Sequence, residues 1–459
     1  MVAGFFAPMT QTDSITERSL IRRDLAELIQ LSWPVVLSRL GIMTMGLTDV
    51  MVVSHYSTQE IGYQALGWTP TGVVIMTGAG LLAGVQIITA RHIGEGRLEA
   101  TGGVLRRGLV YSTWLGLALA ALLYAAGPWA LTHIGLAPDL ARGAGLVLQV
   151  LALSLPFHLI STSQTYFLEA LSRPKPATLA MWGCNLINLA VNLILVPGTF
   201  GLSAMGAVGA SWATLISRAI LCVWLGIYIA RMSDARALGI FKKPIDTRKD
   251  AVDQLVVGFG GGASYFVEAG AFSTMNIIAG YLGTMAIAGW TLVLNVTAMI
   301  FMIPLGLSAA TAVLVGRAYG AKDRAGLVRA GNLGFAVCMA AQVLVAIFVL
   351  FGARNIAGLY TPDPALIEIA ATGLTIGCLY FAADGLQGVA AQALRARSDV
   401  LAPTLTHIFS YAVVMIPLAG FLALRTPLGL WGILAAVIIA SVLSAGLLLG
   451  RFWWMARRL

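Results

Sequence analysis

Apolar runs of about 20 residues, the length that crosses a bilayer as helix, recur along nearly the whole chain between short polar turns. Windows of that length predict twelve spans, at 29–54, 62–90, 108–131, 143–171, 177–197, 205–230, 254–281, 287–316, 330–352, 365–394, 401–423 and 429–450. The second and eighth windows are long and glycine-rich, which favours tilt or bending. Pro34 and Pro304, inside the first and eighth windows, each remove an amide donor and permit a kink. The predicted fold class is an all-α polytopic membrane protein.

The basic residues test that count. With both termini inside, the cytoplasmic segments collect Arg18, Arg22, Arg23, Arg91, Arg97, Arg106 and Arg107, then Arg173 and Lys175. They also hold Arg231, Arg236, Lys242, Lys243, Arg248 and Lys249, then Arg317, Lys322, Arg324 and Arg329. Arg395, Arg397, Arg451, Arg457 and Arg458 bring the total to 24 of the 29 Lys and Arg residues. Only Arg142, Arg354 and Arg425 fall outside, while Arg39 and Arg218 fall within spans. A missed or extra helix would scramble this alternation, so the positive-inside rule supports twelve spans with both ends cytoplasmic.

A 226-residue shift aligns GLLAGVQIITARHIGEGR (80–97) with GLSAATAVLVGRAYGAKD (306–323), pairing Gly80 with Gly306, Arg91 with Arg317 and Gly94 with Gly320. A 223-residue shift pairs Gln164, Ala170 and Leu171 with Gln387, Ala393 and Leu394, and Gly206 and Gly209 with Gly429 and Gly432. Each half holds an even number of spans, so the repeat is parallel, with a pseudo-twofold along the membrane normal. The predicted organisation is an N-terminal cytoplasmic segment (1–28), an N-lobe (29–230), a polar cytoplasmic linker (231–253), a C-lobe (254–450) and a cytoplasmic tail (451–459). Such architectures place substrate and coupling ions near the repeat interface and rock one half against the other.

Composition narrows the function. The chain is 58% hydrophobic and 11% charged, against roughly 25% charged in soluble domains, which leaves no room for a water-soluble catalytic core. The net charge of +9 is carried by the loops, so it points to topology and not to nucleic acid. Cys184, Cys222, Cys338 and Cys378 lie in apolar segments without metal or disulfide spacing. The first 30 residues carry Asp13, Glu17, Arg18, Arg22, Arg23, Asp24 and Glu27 in place of a signal-peptide apolar core. His55, His158 and His407 have no second ligand at metal spacing. No phosphate-cradling G-x-x-x-x-G-K-[ST] loop is present, which excludes ATP-driven transport by this chain alone.

Against that background three intramembrane carboxylates stand out: Asp49, Glu268 and Asp384. A charge at the bilayer centre costs at least a few kcal/mol, so such groups face a cavity or partner and mark an ion or substrate path. The fifth span carries Asn185, Asn188 and Asn192 on one stripe. Their carboxamide oxygens, with Asp49, would make a hard-oxygen site for Na+ or a shared proton. Tyr380, one turn before Asp384, is the expected hydrogen-bond donor to it. Permanent ion pairing of Glu268 and Asp384 would need a basic partner, and the spans supply only Arg39 and Arg218, both in the other half. The roles of these two arginines stay open at this stage. Glu169 is expected to pair locally with Arg173. Met43, Met45, Phe266, Phe272, Met275, Met299 and Phe301 crowd the same helices. A flexible, Met-rich and aromatic lining suits promiscuous apolar cations.

The first-span pattern P-x14-D ending in DVMVVSHYSTQEIG resembles the multidrug and toxic compound extrusion (MATE) family. So do the two GLLAGVQIITARHIGEGR-type boxes, the LEALSRPKPA turn before NLINLAVN, and DGLQGVAAQALRARSD. The likeness covers residues 25–450 and is nearest the NorM-type branch. It implies a V-shaped, two-lobe, monomeric antiporter of the bacterial inner membrane, without an organic cofactor, exporting organic cations against inward Na+ or H+. It also implies a coupling-ion set of Glu268, Asp384 and Tyr380 in the second lobe and Asp49, Asn188 and Asn192 in the first. A tyrosine that some members place in the eighth span has no counterpart here, where Phe301 and Asn295 lie. A lipid-linked saccharide flippase is the related alternative, and the acidic intramembrane charges favour cationic cargo.

Overall fold

A computed structural model describes residues 17–133, 136–242 and 247–458. The predicted N-terminal segment as far as residue 16, Lys243 of the linker and the last residue of the tail lie outside the described residues. The first half comprises α1 (Glu17–Tyr56), α2 (Thr58–Gly94), α3 (Thr101–His133), α4 (Pro138–Leu153), α5 (Leu155–Ala170), α6 (Lys175–Leu195) and α7 (Gly206–Ala230). The second half comprises α8 (Arg248–Tyr281), α9 (Thr284–Gly320), α10 (Arg324–Gly358), α11 (Pro364–Ala396), α12 (Leu401–His407), α13 (Ile416–Arg425) and α14 (Leu430–Arg458). A π-helical stretch, Ile408–Met415, joins α12 to α13.

Each predicted span is met by a helix, and several run one or two turns beyond the apolar window. The fourth span is broken: α4 and α5 meet at 41°, between Ser154 and Pro156, whose ring removes a backbone donor. Taken as one span, they bring the number of elements long and apolar enough to cross a membrane, among the described residues, to twelve. Pro34 and Pro304 lie inside the continuous helices α1 and α9.

Packing of the apolar faces shows two lobes that merge at one end. The largest core draws on both halves, including Leu31 and Ile88 from the first and Val313 and Leu394 from the second. These residues lie toward the end that carries the described ends of α1 and α14. At the opposite end the halves have separate cores: Val53, Val147, Leu151 and Val196 in the first, and Met275, Trp290, Tyr411 and Ile433 in the second. Across the lobes α2 packs on α8 and α1 packs on α9, the exchange that a twofold relating α1 to α8 and α2 to α9 requires. Close approach there depends on glycine. A Cβ on Gly94 would lie 2.0 Å from the Arg317 carbonyl oxygen, and one on Gly320 would lie 2.2 Å from that of Arg91.

Candidate functional site

The first-lobe centre is built by a polar stripe on α6 that locks onto α1. Thr178 donates to the Pro34 carbonyl at 2.7 Å, Trp182 to that of Leu37 at 3.2 Å and Asn185 to that of Gly41 at 3.0 Å. Farther along the same face, Asn188 and Asn192 donate to Asp49 Oδ1 at 3.1 and 2.8 Å. Thr214 of α7 donates to Oδ2 at 2.5 Å. The spacing of these α6 residues is helical, and one face therefore serves both ends of the contact. Two sequence expectations are corrected. Asn185 joins the helices and does not reach Asp49, and the other two amides turn N–H groups, not oxygens, toward the carboxylate. They stabilise an ionised Asp49 as donors.

Arg218, one turn after Thr214 on α7, belongs to the same buried centre. Its Nη1 donates to Ser154 Oγ at 2.8 Å, at the α4–α5 break, and its guanidinium lies 5.5 Å from the Trp68 ring centroid. It also acts electrostatically on Asp49. Arg39 has a different partner: it meets Glu169 at 3.0 Å, and Gln86 donates to the same carboxylate at 2.7 Å. The expected Glu169–Arg173 pair is not formed, because Arg173 lies beyond the α5 C-terminus and forks onto Asp234 at 2.8 and 2.7 Å. Arg173 holds the Asp234 carboxyl below its ordinary range through these bonds.

The second-lobe centre brings Glu268 of α8 to Asp384 of α11. The two carboxylates act on each other electrostatically. Gln387, one turn beyond Asp384, bridges toward α8 by donating to Glu268 Oε1 at 3.3 Å. Asp384 is buried and accepts from Ser441 of α14 at 3.3 Å and, at the long limit of 3.5 Å, from Tyr411. Tyr380 is fully enclosed in the lobe core, and the tyrosine that bonds Asp384 is Tyr411. That donor arrives from the π-helical stretch, a feature common at functional sites and invisible in an apolar run such as IFSYAVVM. Ser441 and Thr214 read in the sequence as ordinary small polar residues of a span; only their helix positions opposite the acids distinguish them.

A further correction concerns Arg395. Arg395, placed by the loop alternation on the cytoplasmic side, is 1% exposed. It lines a narrow cavity with Glu268, Gln387, Tyr265, Phe301 and His407. The expected substrate-lining side chains divide. Met45 is packed in the core shared by the two halves and Met275 in the core of the second, and both are buried. Phe266 and Met299 are exposed, Met43 is half-buried, and Phe272 stacks at 6.3 Å on Tyr411.

The family profile described as MatE matches the chain over residues 34–194 and again over 262–421, once in each half. The chain belongs to the MatE family. It is a multi-pass membrane transporter and not an enzyme. It is 51% identical over 435 residues to the "Probable multidrug resistance protein NorM" of Caulobacter vibrioides, covering 95% of this chain and 92% of that one. It is 30% identical to the "Multidrug resistance protein PmpM" of Pseudomonas aeruginosa, with coverage of 92% and 91%. Solved MATE structures share the fold. An outward-facing multidrug resistance MATE transporter superposes with a TM-score of 0.86 at 21% identity over 98% of both chains. A MATE in the bent conformation gives 0.84 at 21% identity over 96% of both. The twelve-span, two-lobe MatE fold read from the sequence is thus the fold observed.

Proposed function

We propose that this MatE transporter is a cation-coupled multidrug efflux antiporter of the bacterial inner membrane. It takes bulky amphipathic organic cations outward in exchange for inward H+ or Na+. Both termini and the 231–253 linker face the cytoplasm, and the lobes 29–230 and 254–450 rock against each other. One observation carries the reading: two carboxylates, the half-buried Glu268 and the buried Asp384, share one centre and act on each other electrostatically, with Gln387 donating to Glu268. Like charges so placed repel each other when both are ionised, and a bound monovalent cation or proton relieves the repulsion. Occupation by the ion and by a cationic drug then oppose each other, which is the requirement for antiport. Asp49 is a second centre. Three donors already satisfy its oxygens, so it responds to helix movement more than to an ion alone.

The test uses everted vesicles with ethidium in the outer medium, where export appears as accumulation in the lumen, under an imposed Na+ or pH gradient, each applied separately. Glu268→Gln and Asp384→Asn are expected to remove gradient-driven ethidium movement while the protein remains in the membrane. Asp49→Asn is expected to slow it. Wild-type rates in both second-lobe variants would refute the assignment. Response to only one of the two gradients identifies the coupling ion.

A further inference from the structure

The acidic pair of the second lobe is accompanied by a buried, permanently charged guanidinium. Arg395 is the last residue but one of α11, where sequence alone would place its head in water. Instead its Nη2 donates to Ser264 Oγ at 2.6 Å. Ser264 lies one helical turn before Glu268 on α8, so the guanidinium is anchored to a residue about 6 Å along that helix from the acid and acts on it electrostatically. Both groups line the same cavity, and Arg395 Nε is buried without a hydrogen-bond partner. The other polar groups around the pair are Tyr265 on α8, Ser308 on α9, Asp384 and Gln387 on α11, His407 at the end of α12, Tyr411 on the π-helical stretch and Ser441 on α14. Of these only Asp384 adds a formal charge when His407 is neutral, and His407 is itself enclosed with both ring nitrogens unpartnered.

We infer that Arg395 is a positioning residue that fixes the charge of the second-lobe centre, so that the empty site carries one net negative charge and accepts one monovalent cation. Two ionised carboxylates alone would hold a cation strongly and release it slowly. A transporter must release its ion on every cycle, and a guanidinium, which stays charged under all accessible conditions, weakens the hold by a fixed amount. Unit charges about 6 Å apart in a medium of effective dielectric about 20 interact enough to change an affinity on the order of a hundred-fold. The partial exposure of Glu268 reduces that to roughly ten- to hundred-fold. The first lobe shows the contrast. There Asp49 faces Arg218 alone, one negative against one positive charge, so its balance leaves no demand for a cation. This inference rests on the coupling role proposed above for Glu268 and Asp384.

The experiment compares full-length wild type, Arg395→Gln, Arg395→Lys and Ser264→Ala in lipid nanodiscs. One arm measures binding of radiolabelled Na+ at fixed pH. The other, without Na+, measures the pH at which protons displace ethidium. In whichever arm the wild type responds, Arg395→Gln should bind its cation ten- to hundred-fold more tightly, which in the proton arm is a rise of about one to two pH units. Arg395→Lys should stay near wild type, because it keeps the charge. Ser264→Ala should shift in the same direction as Arg395→Gln by a smaller amount, and it keeps the idea testable if Arg395→Gln fails to fold. Cation affinity unchanged within about threefold in Arg395→Gln, or in Ser264→Ala should it alone fold, would overturn the inference, as would Arg395→Lys behaving like Arg395→Gln. A Glu268→Gln/Asp384→Asn control separates the two levels of argument: if it binds the cation as wild type does, the coupling role itself is wrong. If it loses binding while Arg395→Gln is unchanged, only the role of Arg395 falls.

Discussion

Tyr380 and Tyr411 both lie in the second lobe, yet only Tyr411 bonds Asp384. Helical spacing singled out Tyr380, because a residue one turn away on the same helix is the nearest neighbour that a sequence can name. The actual donors, Tyr411 and Ser441, come from two other helices, and no spacing rule reaches across helices. Tyr411→Phe is therefore expected to change the cation concentration giving half-maximal transport by up to about tenfold, the worth of one modest hydrogen bond. Tyr380→Phe, acting in the packed core, should leave that value in place and lower thermal stability only. Equal shifts in both variants, in the gradient-resolved vesicle assay, would contradict the assignment. The three acids themselves were legible from sequence, because an unpaired charge in an apolar span needs a reason. Arg395 was not, because a residue near a helix end reads as snorkelling to water.

At the scale of elements, α6 shows how one stripe carries two roles. Asn185 bonds the α1 backbone, whereas Asn192 bonds the α1 carboxylate. Asn185→Ala should loosen the α1–α6 contact and lower the melting temperature with little change in ion dependence. Asn192→Ala removes a donor to a buried charge, worth about 1.5–3 kcal/mol, and should slow transport about as much as Asp49→Asn does. The periodic pattern placed the twelve spans well, since bilayer thickness fixes their length. The break at Ser154 and the π-helical stretch escaped, since both keep the apolar run intact. The described part of the linker is likewise more ordered than its polar sequence implies. Arg173 forks onto Asp234, Gly102 donates to the Leu238 carbonyl at 2.8 Å, and Lys242 pairs with Glu99. Asp234, its pKa lowered by Arg173, favours the docked linker above the ordinary carboxylate range near 4 and loses that contribution as pH falls through its own lower value. Asp234→Asn should abolish this acid-dependent term. Limited proteolysis of the linker should then be faster at neutral pH and insensitive to mild acid, with efflux nearly unchanged because a half-exposed pair contributes little.

At the scale of the molecule, the two lobes are fastened at one end by a twofold-related clasp. Arg91 of the first lobe donates to the carbonyls of Arg395 and Ala396, both at 2.9 Å, at the C-terminus of α11. Arg317 of the second lobe donates to the carbonyl of Ala170 at 2.6 Å, at the C-terminus of α5, and meets Glu27 at 3.1 Å. Arg91 and Arg317 are 226 residues apart, and so are the helix ends they meet, Ala170 closing α5 and Ala396 closing α11. The same shift maps Asp24, which pairs with Arg329 across the lobes, onto Asp250, which pairs with Arg97 at 3.0 Å. Each arginine thus satisfies last-turn carbonyls of a helix in the opposite lobe, where a cation is favoured. In the antiport cycle proposed above this end must open, and the clasp would then set how much of the population is closed there. Arg91→Ala and Arg317→Ala each remove charged hydrogen bonds worth about 1.5–3 kcal/mol, and either should shift the equilibrium toward opening at the terminus-bearing end by roughly ten- to hundred-fold. Gly94→Ala and Gly320→Ala should act in the same direction by a different physical route, since a methyl group there would press on the opposing carbonyl. Spin-label distances between the ends of α2 and α8 at the terminus-bearing end, in protein with its four native cysteines replaced, report the change directly. A lengthened distance in all four variants is expected, and an unchanged one in the arginine variants would show that the shared apolar core closes this end without them. Arg395 meets the clasp through its carbonyl, which Arg91 holds, and meets the helix that carries Glu268 through its side chain, which bonds Ser264. The same residue therefore ties the cation site to the lobe interface, and clasp variants should also alter cation affinity.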